Sequence, residues 1–320
     1  MKFIHKIADN ILSLVKRNKG FPSTPLVRLP ETVQTTVDAY WGDFTVYKLP
    51  FQSAQESLQY LEWRFEQYPL FREFMQLYGQ HDGQILLDYG CGPGNDLVGF
   101  LVHTGAKKVI GIDISAKALE IATRRLALHQ IEPERIELIR TVDSNPEIAL
   151  ADGSIDYIYC EGVLHHTTYP ETILREFYRI LKPMGQACIM VYNRHSLWLH
   201  LHTAYIKMIL ENAFQSLRLE DAFAKTTDSE TCPIARCYAP EEFITLGNQS
   251  GFQTEFVGGY LSLHELKIWQ ELGQQALSDE RLASEHRAFL QALVFDTHGY
   301  PMYQGKHAGI GGVYNLYKAG

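Results

Sequence analysis

The chain predicts a doubly wound α/β fold, and three observations carry that prediction. An unbroken apolar run, Ile85-Leu86-Leu87, leads into a glycine-rich turn and then a helical pattern from Asp96 to Val102. A second apolar run, Lys108 to Ile112, ends in Asp113 and gives way to a helix capped by Ser115 and running to about His129. Strand-like and helical stretches then keep alternating to the C-terminus. Apolar runs without period-two alternation are what strands buried on both faces look like, and their alternation with helices argues for a parallel sheet.

Taken in order, Phe3, Ile4, Ile7, Ala8, Ile11, Leu12 and Val15 fall on one helical face flanked by Lys2, Lys6, Lys16, Arg17 and Lys19. A basic amphipathic helix can lie on a membrane surface. The favoured reading is a helix packed on the body or on a partner subunit, so a homo-oligomer stays open and a membrane is not expected. Residues 20–50 are rich in Pro and Thr and read as a connector. Leu58, Leu61, Phe65, Phe71, Phe74 and Leu77 give a helical pattern over 53–78, broken near Pro69. Further strands are expected at 155–160, 186–192, 252–260 and 310–317. Helical stretches at 196–224 and 263–294 interrupt them. These read as cap insertions, at about 196–230 and 262–305, on a core of residues 81–320, with 1–80 as an N-terminal helical segment and lid.

The turn Asp88-Tyr89-Gly90-Cys91-Gly92-Pro93-Gly94 is the most telling local feature. Glycines let backbone approach a ligand, and the following helix start offers unpaired N–H donors. A dinucleotide fingerprint needs G-x-G-x-x-G. Here the third glycine comes one position early, at Gly94, and Asn95 stands in the dinucleotide position. The shorter turn suits a compact ligand that joins an amino acid to a nucleoside. Asp113, at the end of the second strand, is placed to accept ribose hydroxyls.

The segments Ile85–Leu97, Val109–Ser115, Val142–Ser144, Ser154–Arg194 and Gly311–Lys318 together resemble the class I S-adenosylmethionine-dependent methyltransferases. The likeness is greatest to the quinone-biosynthesis and small-molecule tailoring branch. The resemblance implies a Rossmann-like seven-stranded sheet and S-adenosyl-L-methionine as cofactor, with S-adenosyl-L-homocysteine as product. It places Gly90, Cys91 and Gly92 against the methionine portion, with Asp88 in the same binding set. It puts Asp113 on the ribose and Ile114 on an adenine face. Asp143 and the backbone of Ser144 fall at the adenine amino group, and Glu161 at the reacting end. Segments ahead of the first strand close over the cofactor in this superfamily, which makes Tyr40, Trp41 and Arg64 candidates there. The chain departs from the pattern at Asn145-Pro146-Glu147-Ile148, where a Leu-Pro-Phe stretch is usual, and at Met184, where a glycine is usual.

Methyl transfer from a sulfonium needs alignment first, and a base only where the acceptor carries a proton. His165 and His166 follow the 155–160 strand and are the candidate bases, with Glu161 in competition. Tyr192, Arg194 and His195 stand at the pocket mouth as acceptor-binding candidates. His298, Tyr300, Tyr303, Lys306 and His307 crowd before the last strand, as a packed loop or a closure over substrate.

Of the 320 residues, 46% are hydrophobic, enough for a sizeable core. With 29 Lys and Arg against 37 Asp and Glu, the net charge is −8, which disfavours nucleic acid as a partner. Glu161-Gly162-Val163-Leu164 stands where nucleobase amino-methyltransferases carry an Asp/Asn-Pro-Pro-aromatic motif, which argues further against that substrate. Lys107-Lys108 and Arg124-Arg125 read as solvated edges. Five scattered cysteines, at 91, 160, 188, 232 and 237, point to a reducing cytoplasm, and no metal site is expected. The expected function is methyl transfer to a small molecule, O-methylation ahead of N- or C-methylation. The alternatives are a non-catalytic cofactor-binding partner protein and a nicotinamide-dependent oxidoreductase.

Overall fold

The structure is a computed structural model and describes residues 36–43 and 51–320. The basic amphipathic segment of residues 2–19 and most of the 20–50 connector lie outside the described residues.

A short helix, α1 (Val37–Asp43), precedes α2 (Ala54–Gln67) and α3 (Phe71–Phe74). The break near Pro69 is a left-handed Leu70 between the last two. The core then runs β1 (Ile85–Tyr89), α4 (Asn95–His103), β2 (Lys108–Asp113), α5 (Ala116–Leu128), β3 (Ile136–Arg140), β4 (Ile155–Glu161), α6 (Pro170–Ile180) and β5 (Leu181–Asn193). The Ser115 hydroxyl accepts the Ala118 N–H at 3.2 Å, so the expected cap of α5 forms. The first insertion is a π-type helix, α7 (Trp198–Leu210), with α8 (Leu219–Thr227) and the two-residue β6 (Cys237–Tyr238). Next come α9 (Pro240–Gln249) and β7 (Gln253–Tyr260). The second insertion holds α10 (Leu263–Ser278), α11 (Ser284–Gln291) and a small antiparallel sheet of β8 (Val294–Phe295), β9 (Pro301–Tyr303) and β10 (Lys306–His307). The final strand is β11 (Gly311–Tyr317).

The main sheet has the order β3-β2-β1-β4-β5-β11-β7, with β11 antiparallel to both neighbours and β6 continuing beside the end of β5. Strand order reverses at β1, between β2 and β4. Such a reversal opens a crevice beyond the carboxyl ends of the strands, the usual ligand position of a doubly wound sheet. One face is sealed by Ile173, Phe177, Phe243 and Phe252, from α6, α9 and the β7 approach, and the other by Phe71, Leu97, Phe100 and Leu126, from α3 to α5. Burying each such side chain contributes about 1.5–3 kcal/mol, so both layers are strongly held.

The two insertions share a core of their own. Leu201 and Tyr205 of α7 meet Ile268 of α10 and Phe289 and Leu290 of α11. The two insertions therefore share one apolar core.

Arg125 corrects the expectation of a solvated edge: it is 2% exposed beneath the Phe51 ring. Its Nε donates to the Ser57 hydroxyl at 2.7 Å and its Nη1 donates to Asn95 Oδ1, tying α5 to α2 and α4. Burial pulls its guanidinium down to about 10. Arg124 does stand in solvent, paired with Glu120.

Candidate active site

A cavity of about 660 Å³ opens at the crevice, running from Asp113 and Asp143 past the glycine turn to Glu161, His166 and Asp228. The turn is built on left-handed backbone, with φ +80° at Gly90 and +51° at Gly92. The two glycines serve different ends. A Cβ on Gly90 would stand 2.1 Å from Val163 Cγ2, so packing demands glycine there. A Cβ on Gly92 would meet nothing within 4 Å and would project into open space beside the cavity. Asp113 is held by the turn itself: its Oδ2 accepts the Gly92 N–H and its Oδ1 the Ser115 N–H, both at 2.8 Å. Burial raises its carboxyl, and the two N–H donors oppose the rise.

Asp88 ends up on the cavity floor, 3% exposed, with no hydrogen-bond partner for Oδ2 among the described residues. Burial pushes its carboxyl well above the ordinary carboxylate range, and Asp96, Asp113 and Glu161 add to the effect. Beside it lies a buried network. Arg64 grips both oxygens of Asp96 at 3.0 and 3.3 Å and reaches Glu161 at 3.9 Å. The Tyr159 hydroxyl donates to Asp96 Oδ2 at 3.1 Å, and the Tyr260 hydroxyl to Glu161 Oε1 at 2.9 Å. Burial raises Glu161 against the pull of Arg64. Among the described residues lining the cavity, six are carboxylates (Asp88, Asp96, Asp113, Asp143, Glu161 and Asp228) and one, Arg64, is a fixed cation. That balance, with an orphaned carboxylate oxygen, suits a ligand carrying positive charge, since a buried charge without a partner is strongly unfavourable.

α1 crosses the mouth and is tied down at three points. Asp38 accepts the Asp143 N–H at 2.6 Å, the Gly42 carbonyl accepts the Ser115 hydroxyl at 3.3 Å, and the Tyr40 hydroxyl meets Ser229 Oγ at 2.8 Å. Trp41 lines the cavity and packs on the His166 ring, with centroids 4.8 Å apart. Tyr40 is turned to Ser229 and is not among the lining residues.

The adjacent histidines part company at the short 3₁₀ turn Leu164–His166 that ends β4. His165 is fully buried outside the cavity lining, its ring 3.8 Å from that of Tyr192. His166 lines the cavity; its Nδ1–H donates to the Ile234 carbonyl at 2.6 Å, which leaves the Nε2 lone pair facing Asp228 Oδ1 at 3.5 Å. Burial lowers both imidazoles, His165 the further. Tyr192 lines the cavity and donates its hydroxyl to Asp228 Oδ1 at 2.9 Å.

Cys91, Ile114, Asp143, Glu161 and Arg64 also line the cavity, whereas Ser144 does not. Arg194 and His195 are not brought to it either. Arg194 is spent on Glu242 at 3.0 Å and the Cys237 carbonyl at 3.3 Å, because β6 pairs beside the end of β5 and turns the chain away. His195 packs against Tyr303. His298, Tyr300 and His307 gather on Asp296, which accepts the His307 Nε2–H at 3.0 Å, while Tyr303 packs on His195 and Phe289. Sequence reasoning missed Asp96, Tyr159, Tyr260 and Asp228. The first three lie inside motifs already read as helix start or strand, while Asp228 sits in a loop with no pattern around it.

Residues 87–189 match the family described as a methyltransferase domain. A ubiquinone biosynthesis O-methyltransferase of Neisseria meningitidis is 30% identical over 138 residues, which is 42% of this chain and 56% of that protein. An arsenite methyltransferase of Aquipseudomonas alcaligenes is 33% identical over 112 residues, 33% of this chain and 32% of that protein. In both cases the chain spans less than two thirds of the relative's length. In fold, the chain is similar to one from the complex between the Haloferax volcanii Trm112 methyltransferase activator and a methyltransferase. The TM-score is 0.50 at 14% identity, covering 90% of this chain and all of that one. Motif, topology and family match agree over residues 87–189, which carry the methyltransferase domain, and the cofactor of such domains is S-adenosyl-L-methionine.

Proposed function

We propose that this protein transfers the methyl group of S-adenosylmethionine to a small-molecule acceptor, with O-methylation ahead of N- or C-methylation. The observation that carries the reading is the continuity of the cavity, which joins the Asp113 and Asp143 end to the His166 and Asp228 end past an open glycine turn. When bound, the cofactor supplies a methyl group on a positively charged sulfur.

The chain's residues have three tasks. Asp113, with one N–H on each oxygen, keeps a lone pair on each for the ribose hydroxyls. Asp88 and Glu161 offer buried carboxyl groups that a cationic ligand would draw towards the charged form, and Tyr159, Tyr192 and Trp41 supply aromatic faces. His166, and not His165, faces the acceptor. Of the two histidines it alone reaches the cavity, and the fixed Nδ1–H leaves Nε2 able to take a hydroxyl proton. The cap and α1 close the site, which keeps water from the reacting sulfur. The aromatic walls and the scarcity of free cations support a neutral or cationic planar acceptor over an acid.

The test is calorimetric titration of the full chain with S-adenosylhomocysteine, followed by turnover on a panel of phenols, amines and thiols. Micromolar binding in wild type, weakened at least tenfold in Asp113→Ala, is the expected result. Binding without turnover across the panel would favour a non-catalytic partner protein, and no binding would reject the proposal.

A further inference from the structure

Three potential metal ligands meet behind the lid from three separate segments. His166 comes from the turn after β4, Asp228 from the end of α8, and Cys232 from the loop before β6. One ligand atom from each lies within 4.8 Å of the other two. No sequence spacing announces the group, since its histidine stands 62 residues before its aspartate.

The hydrogen bonding around the group sets acceptor against acceptor. His166 spends its ring proton on the Ile234 carbonyl at 2.6 Å, so Nε2 presents a lone pair. Opposite it, at 3.5 Å, is the carboxylate of Asp228. Two acceptors face each other there. Asp228 Oδ1 takes the Tyr192 hydroxyl at 2.9 Å, while its Oδ2 is buried with no hydrogen-bond partner among the described residues. Cys232, 8% exposed, places Sγ 3.9 Å from His166 Nδ1 and donates to the Ile234 carbonyl at 3.4 Å, so Sγ has to swing from the Nδ1 side to the Nε2 side and give up that bond to join the other two ligands. Metal-ligating histidines characteristically donate their second ring N–H to a backbone carbonyl, and ligating carboxylates are themselves hydrogen-bonded; Ile234 and Tyr192 do both here. Tetrahedral zinc, with bonds of roughly 2.0–2.3 Å, holds its ligand atoms about 3.3–3.7 Å apart, and the His166–Asp228 edge already has that length.

We propose that His166, Asp228 and Cys232 form a mononuclear site for a divalent metal of the zinc type. Imidazole, carboxylate and thiolate together select a borderline-soft ion such as Zn²⁺ or Co²⁺ over Mg²⁺ or Ca²⁺. Three protein ligands leave a fourth position open, as in catalytic zinc sites. His166 and Asp228 line the cavity, so that position faces it. Resting on the methyl-transfer reading, a hydroxyl or thiol of the acceptor is the fourth ligand. With the metal bound, His166 would be a ligand and not a base; the metal would lower the pKa of the coordinated hydroxyl or thiol, whose proton would leave to water through the cavity before the methyl is transferred.

The test uses the full chain without an affinity tag, stripped with chelator and dialysed, then titrated with Co²⁺ and Zn²⁺. One Co²⁺ per chain is expected, with a thiolate-to-cobalt charge-transfer band in the near ultraviolet that one equivalent of Zn²⁺ abolishes. Cys232→Ser should lose the band, and Asp228→Asn should weaken binding at least tenfold. Cys237→Ser, a buried cysteine outside the group, should keep both, and circular dichroism of each variant verifies folding. A cobalt spectrum without the thiolate band, or one unchanged in folded Cys232→Ser, overturns the proposal. S-adenosylhomocysteine titration of the stripped protein reads the other claim separately. Binding there without cobalt binding rejects the metal site alone, and a cobalt band without cofactor binding rejects the methyltransferase reading alone.

Discussion

Gly92 and Gly90 sit two residues apart with left-handed backbone, and substituting them should fail in opposite ways. At Gly92 the φ of +51° costs a side-chain-bearing residue about 1–2 kcal/mol. Replacing glycine stiffens the unfolded chain and returns about 0.4–1 kcal/mol. The net loss for Gly92→Val is about 1 kcal/mol, a fall in Tm of roughly 2 °C in a domain of this size. The new side chain projects beside the cavity, where no protein atom stands within 4 Å of the Cβ position. Forcing it against a bound cofactor costs about 1–3 kcal/mol. That is roughly 5- to 150-fold in the Kd for S-adenosylhomocysteine. Gly90→Ala instead drives Cβ to 2.1 Å from Val163 Cγ2. Overpacking and left-handed strain together come to about 2–5 kcal/mol of stability, part of which Val163→Ala should restore. Calorimetric titration and urea unfolding on the four proteins separate the two. A folded Gly92→Val that binds S-adenosylhomocysteine like wild type would refute the assignment of this turn as the cofactor cradle.

Other outcomes follow from the buried charges. Asp96→Ala leaves the Arg64 guanidinium, 9% exposed, with only a 3.9 Å contact to Glu161; urea unfolding should show a loss of about 3 kcal/mol, and Arg64→Met with Asp96→Leu should recover much of it. Acidification should loosen the cap. Burial pulls His200 and His202 down to about 3, against about 6.5 in an unfolded chain, so the folded state resists their protonation. Stability is then full above about pH 6.5 and falls as pH drops towards 3, by about 2 kcal/mol per histidine at pH 5. Unfolding at pH 7.5 and 5.0 should show a smaller acid loss in His200→Gln and His202→Gln than in wild type.

The part of the site nearest the glycine turn was legible because its information is local. Asp88, Gly90, Gly92 and Asp113 sit on consecutive β–turn–α units, and a parallel sheet fixes where the carboxyl end of each strand lies. β4, β5, β7 and β11 were readable for the same reason, as apolar runs. β3 escaped notice because Ile136–Arg140 is an edge strand with every residue at least partly exposed and with charges at Glu137 and Arg140, which dilute the apolar signal. Arg125 was misread because a basic dipeptide on a helix gives no hint that one member is roofed by Phe51.

The acceptor end was illegible for a different reason. His165 and His166 are equivalent in sequence, and only the turn after β4 decides that one stacks beneath Tyr192 and the other enters the cavity. Arg194 had the right chemistry to bind an anion, but two residues of β6, paired at Tyr192 and Asn193, carry it towards Glu242. Asp228 and Cys232 reach His166 only because the first insertion folds back over the sheet. The proposed cofactor half of the site thus follows from strand ends fixed by the core. The acceptor half follows from loops held by the cap, and such loops can change without disturbing the sheet. Changes at His166, Asp228 or Cys232 should therefore alter what is bound at the acceptor end while leaving S-adenosylhomocysteine affinity within a few-fold of wild type. A large loss of cofactor affinity in folded Asp228→Asn would show that the two halves are coupled and that this division is wrong.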